Sequence, residues 1–393
     1  MLNKFTQTLS VKGKFATFAR LKLIEMNWII YGIVAFFVTF LLMPPFIKLM
    51  VKYRLLDKAG GRKIHQGYTA HMGGVVIFIA FICCVVFGLF STSHFGSPWN
   101  ITSFLILLCF ILLVGVRDDM NNLTPRTKLL CEITVGFLLC YTGVRIHSFY
   151  GLFGINEIPI WLSYVLSIVF MVVVSNAYNL IDGIDGQAGT QALVFFCSMF
   201  LFAKCFIGEF TIPPYNDNFA NTSFWLLLDS AMIGALLGFL IYNWQPAKIF
   251  MGDTGSLFIG FMLAICMITA MDYNGKSTST VFSYPMRSNL LACVMFFFLP
   301  LADTLRVFIS RVRKGKSPFS PDKTHIHHLL LRVGYSHKRI ALTTMSIQII
   351  ISLISVFVGF LLEDLYYIFY IIIMWFVFVF ALRAYVKYKM NKL

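Results

Sequence analysis

Asn179, Asp182 and Asp185 recur at every third residue in Asn179-Leu180-Ile181-Asp182-Gly183-Ile184-Asp185-Gly186, at the end of a long apolar run. Beside a bilayer an amide and two carboxylates cost free energy unless they face protein, water or a ligand. Oxygen donors next to bare glycine backbone suit a hard cation such as Mg2+ and the phosphates it accompanies. A glycine-rich helix C-cap is the plain alternative. Two acids near the negative end of a helix dipole run against the usual preference for cations there, which favours a ligand.

Four further segments carry groups of the same kind. Arg117-Asp118-Asp119 precedes Thr124-Pro125-Arg126-Thr127-Lys128, and adjacent carboxylates repel one another unless a cation or a basic group neutralises them. Met251-Gly252-Asp253-Thr254-Gly255-Ser256 places an acid between glycines at the start of an apolar run. It pairs a metal ligand with a phosphate-binding helix start, or it is a simple N-cap. The first basic loop holds Lys58, Arg62, Lys63 and His65 before Gly73-Gly74, and suits either an anionic ligand or lipid headgroups. His325-Ile326-His327-His328, followed by Arg332, lacks the i, i+4 spacing of common zinc sites. Phosphate and sugar contacts fit those three imidazoles better.

The elements that must position these groups are membrane helices. Of 393 residues, 59% are hydrophobic and 12% charged, and runs long enough to cross a bilayer recur. We expect an all-α polytopic membrane protein with about eleven transmembrane helices, at roughly 28–47, 73–92, 101–116, 129–146, 160–180, 188–207, 223–242, 255–271, 288–309, 340–361 and 364–382. Residues 26–393 form one integral-membrane domain, with neither an internal repeat nor a low-complexity linker. Residues 1–25 are a basic extension, either an amphipathic surface segment or a stretch upstream of a start at Met26. Within the spans Glu132, Lys204 and Asp229 are the polar exceptions, paired in the bundle or snorkelling. The nine cysteines all fall in apolar runs without a CxxC pair, against a zinc or disulfide framework.

Charge selects the sides. The loops that carry every candidate motif, with their borders, hold 23 of the 32 Lys and Arg. By the positive-inside rule they face the cytoplasm. The net charge of +15 therefore reports membrane topology rather than a nucleic-acid partner.

Taken together, NLIDGIDG, MGDTGSL, RDD with the following R-x-K, RK-x-H before a Gly-Gly helix start, and HIHH resemble the polyprenyl-phosphate N-acetylhexosamine-1-phosphate transferases of glycosyltransferase family 4, over roughly residues 44–340. Lys63-Ile64-His65 and the HIHH loop look like the branch acting with UDP-GlcNAc for O-antigen, common antigen or teichoic acid. The branch transferring phospho-MurNAc-pentapeptide looks less similar in that last loop. One departure is Ala70-His71, where this branch often has a Pro before the double glycine. The resemblance implies transfer of N-acetylglucosamine-1-phosphate from UDP-GlcNAc to undecaprenyl phosphate, with release of UMP, at the cytoplasmic face of the inner membrane. It implies Mg2+, with Mn2+ as a substitute, held by Asp253 and Asn179. Asp118, Asp119, Asp182, Asp185 and Asp253 form the catalytic set. Lys63, His65, Lys128, Asn179, His325, His327, His328 and Arg332 contact substrates. Expected partners are the two substrates, the lipid bilayer and a second copy in a homodimer, with no nucleic acid. The rival class is a secondary transporter, which would place its binding groups near mid-bilayer and show inverted repeats.

Overall fold

The computed structural model describes residues 28–57, 69–91, 98–149, 151–155, 157–207, 222–271, 289–317 and 323–392. Helices make up nearly all of it: α1 Trp28–Lys52, then α2 Gly74–Ser91, α3 Pro98–Asn121, α4 Pro125–Tyr141, α5 Ile160–Ile181, α6 Gln187–Phe202, α7 Thr222–Asn243, α8 Gly252–Met271, α9 Asn289–Met295, α10 Phe298–Arg313, α11 Ile326–Arg332, α12 His337–Leu361 and α13 Asp364–Met390. A two-residue antiparallel ribbon, β1 Leu56–Asp57 with β2 Thr69–Ala70, lies between α1 and α2. Among the described residues eight helices are long and apolar enough to cross a bilayer (α1, α3, α5, α6, α7, α8, α12 and α13), and α2 is a shorter apolar helix. The protein is a multi-pass helical membrane protein.

Two expected spans differ in detail. The one placed at 129–146 begins earlier, because the Thr124 side chain accepts from the Thr127 backbone N–H and Pro125 occupies the first helical position. The one placed at 288–309 is broken between α9 and α10. Pro300 removes a backbone donor and its ring would crowd the carbonyl of Phe296, so one continuous helix cannot form. Gln348 of α12 repairs the break: its Oε1 accepts from Leu299 N at 2.8 Å, and its Nε2 donates to Met295 O at 2.8 Å. In hydrocarbon those freed backbone groups would otherwise go unsatisfied.

The organising element is α8. It is apolar around its whole circumference, as a helix enclosed by others must be, and 94% of its hydrophobic window is buried inside the protein. It touches α2, α3, α5, α6 and α9. Small residues permit this: a methyl group at Gly74 would collide with the backbone of Gly255, so α2 and α8 meet main chain to main chain. By contrast, α1 and α13 are only 22% and 17% buried over their apolar windows, as lipid-facing periphery should be. The polar exceptions are inside: Glu132 accepts from Asn176 Nδ2 at 2.7 Å, Asp229 from the Cys266 thiol at 3.8 Å, and Lys204 is half-buried in a π-helical turn.

Candidate active site

Direct contacts gather the motif-bearing loops at one end of the bundle. The segment before α2 is pinned to the segment before α8 by Phe250 N→Ala70 O (2.8 Å), Gly73 N→Phe250 O (2.9 Å) and Gly74 N→Met251 O (3.0 Å). The end of α3 reaches the start of α8 through Asp119, whose Oδ1 accepts from Asp253 N at 2.8 Å. Its Oδ2 accepts from Thr254 N at 3.0 Å and from the Thr254 hydroxyl at 2.5 Å. Those N–H groups are orphan donors of the first turn of α8, so Asp119 caps a helix that is not its own. Gly252 makes room for it. A Cβ there would lie 2.5 Å from the Asp119 carboxylate, and φ is +75°, a region that residues with a side chain rarely adopt.

Beside this cap Lys128 Nζ lies 3.0 Å from Asp118 Oδ2 and 3.0 Å from Asp253 Oδ1. Asp118 Oδ1 also accepts from Leu123 N at 2.6 Å. From α5, Asn179 Nδ2 donates to Asp253 Oδ1 and to Ser256 Oγ at 2.6 Å. The Lys128 ammonium is shielded, and burial alone would lower its pKa. The carboxylates of Asp253 and Asp118 outweigh that and raise it, keeping the charge in place.

The 179–186 turn carries the site from this acidic corner to an imidazole wall. A methyl on Gly183 would meet His327 Nε2 at 2.7 Å. Asp185 is buried: its Oδ2 accepts from Ala247 N at 3.2 Å, and its Oδ1 lies 3.3 Å from His337 Nδ1. Gly186 N donates to Asn243 Oδ1 at 3.0 Å, and Asp182, half-buried, closes α5. His325 and His327 are parallel with ring centroids 6.0 Å apart, and His328 lies 4.2 Å from His327. Burial, then the neighbouring His328, pushes His327 down to about 3, so it is neutral at physiological pH. Arg332 is exposed and donates to Lys323 O at 3.1 Å. Lys63 and His65 lie outside the described residues.

Residues 101–271 match the profile of glycosyl transferase family 4. A decaprenyl-phosphate N-acetylglucosaminephosphotransferase of Mycobacterium leprae (strain TN) is 32% identical over 292 residues, 72% of this chain and 71% of its own. The chain belongs to glycosyl transferase family 4. It is also similar to the "Probable undecaprenyl-phosphate N-acetylglucosaminyl 1-phosphate transferase" of Bacillus subtilis (strain 168), at 29% identity over 84% of this chain and 85% of the relative. An undecaprenyl-phosphate alpha-N-acetylglucosaminyl 1-phosphate transferase of Yersinia pestis is 28% identical over 74% and 73%.

For this family member the sequence-predicted residues divide by geometry. Asp118, Lys128, Asn179 and Asp253 share one cluster. Asp182 lies in the turn beside it, where Gly183 meets His327, and His325 and His328 lie against His327. Asp119 is engaged with the first turn of α8, and Asp185 with Ala247 N and the His337 ring. Among the described residues no cluster of three or more His, Cys, Asp or Glu ligands forms. Magnesium needs only one or two protein carboxylates, with water and substrate oxygens completing its shell. Asp118 and Asp253, already converging on one ammonium, fit that need. Asn179 turns its amide nitrogen, not its oxygen, toward Asp253, and so holds that carboxylate as it stands.

Sequence reasoning missed Asp303, Arg306, His337 and Asn243. Asp303 and Arg306 were legible as a charge pair three residues apart inside an apolar run. Asn243 and His337 carried no signal beyond their place at helix ends.

Proposed function

We propose that this enzyme transfers N-acetylglucosamine-1-phosphate from UDP-GlcNAc to undecaprenyl phosphate, with Mg2+ as cofactor, on the cytoplasmic side of the inner membrane. The observation that carries the proposal is the meeting of Asp118, Lys128, Asn179 and Asp253 from α3, α4, α5 and α8 at one end of the bundle. The relatives' names supply the substrate class, and the basic loops supply the side.

The chemistry is an in-line displacement. An oxygen of the acceptor phosphate attacks the β-phosphorus of the donor, the bond from that phosphorus to the α-phosphate oxygen breaks, and UMP departs with the electron pair. Positioning and charge stabilisation dominate such reactions. The acceptor's second pKa is near about 6, so it is mostly the dianion at neutral pH and needs no strong base. Asp253 and Asp118 would hold Mg2+, which when bound would neutralise the converging phosphates. Lys128 adds a fixed positive charge on the same oxygens, and Asn179 orients Asp253. Asp182 and the imidazole wall face the nucleotide and sugar.

The test is incubation of the purified protein with undecaprenyl phosphate and a panel of UDP-sugars, following UMP release and weighing the lipid product by mass spectrometry. UMP release from UDP-GlcNAc that requires both lipid phosphate and Mg2+ is the expected result. Release independent of the lipid, or no product with any UDP-sugar, overturns the proposal.

A further inference from the structure

Resting on the reading of this pocket as a sugar-phosphate transfer site, we infer that Asp303 is a positioning residue for donor-sugar recognition, holding His325 so that Nε2 alone faces the substrate. Asp303 belongs to α10, and its side chain is 1% exposed. Its Oδ1 accepts from Arg306, at 2.6 Å from one terminal nitrogen and 3.2 Å from Nε. Its Oδ2 meets His325 Nδ1 at 2.9 Å, and Ile326 N lies 3.2 and 3.1 Å from the two oxygens. Arg306 then donates to Thr324 O at 2.5 Å. One turn of α10 thus grips three consecutive residues: Thr324 by its carbonyl, His325 by its ring and Ile326 by its amide.

This arrangement fixes the histidine tautomer. The guanidinium and the backbone N–H can only donate, so the Asp303 carboxylate is ionised and can only accept. His325 Nδ1 must therefore carry the hydrogen. With the hydrogen held on Nδ1, Nε2 is the ring nitrogen left to accept. That nitrogen is buried and has no hydrogen-bond partner among the described residues, on a ring only 4% exposed and parallel to His327, which borders the Gly183 turn. A buried acceptor of this kind suits a sugar hydroxyl or the N–H of an acetamido group, not a phosphate oxygen.

Three variants of the full-length enzyme test the inference: Asp303→Asn, His325→Ala and the pair combined. Because the contact is to the sugar, each single variant should lower kcat/KM for UDP-GlcNAc roughly tenfold to a hundredfold. UDP, which lacks the sugar, should bind within about twofold of wild type. On the His325→Ala background Asp303→Asn should cost less than about threefold more. Losses that multiply, or UDP affinity falling in parallel, would reduce Asp303 to a structural support and overturn the inference. A readout independent of turnover is nitrogen-15 histidine NMR, with His325 identified by its loss in His325→Ala. Wild type should show the Nδ1–H form and Asp303→Asn a move to Nε2–H; an unchanged form refutes the claim. Wild-type protein inactive toward UDP-GlcNAc defeats the transfer reading instead, while the tautomer result still decides the role of Asp303.

Discussion

Neighbouring acids in this site have different duties, and substitutions should separate them. Asp119 spends both oxygens on the first turn of α8, so Asp119→Asn should lower unfolding stability by about 1 kcal/mol or more, the usual worth of a lost cap. Thermal unfolding in detergent without substrates measures it, and an unchanged midpoint would remove the capping role. His327 sets a pH dependence. Its folded pKa of about 3 lies below the ordinary 6.5, so the unfolded chain binds the extra proton first. Stability is full above pH 6.5 and declines as pH falls toward 3, by roughly 2 kcal/mol on reaching about pH 5. His327→Asn should remove that slope, as denaturant midpoints across the pH range will report. The acidic set, Lys128 and the histidines were legible because unpaired polar groups at membrane-helix ends are costly. What those groups bond to was not: the amide direction of Asn179 and the cap made by Asp119 arise from contacts between residues more than 70 apart in sequence.

At the scale of elements, hydropathy found where helices lie and failed where one is interrupted. The apolar run around 288–309 reads as a single span, and Pro300 alone does not reveal that Gln348, some fifty residues later, supplies the missing bonds. Gln348→Leu would look conservative by hydropathy. It strands a backbone donor and a backbone acceptor, so a loss of about 2 kcal/mol or more is expected. Unfolding midpoints should fall while KM for the donor stays unchanged; a variant as stable as wild type would mean that the break finds other partners. The boundary of α4 was missed for a related reason. A Thr-Pro start extends a helix through Arg126 and Lys128, which hydropathy assigns to the loop, and that extension brings Lys128 to Asp118 and Asp253.

For the whole molecule, the charge count and the packing agree on one end. Lys314 after α10 and Lys338 at the start of α12 are exposed in the last basic loop, whereas Glu157 before α5 is exposed at the opposite end of that helix from Asp182. In a cysteine-free background, Lys314→Cys and Lys338→Cys should react with a membrane-impermeant thiol reagent only in inverted vesicles, and Glu157→Cys only in intact cells. Labelling of all three from one side would defeat the assigned orientation. The enclosure of α8 has a consequence for its surroundings. A helix bathed in lipid takes its height from the thickness of the acyl layer and tilts when that thickness changes. Asp253 instead inherits its depth from protein on every side, while α1 and α13 absorb the mismatch. Reconstituted in short- or long-chain lipids, the enzyme should keep its acidic corner intact, with any sensitivity to chain length arising at its rim.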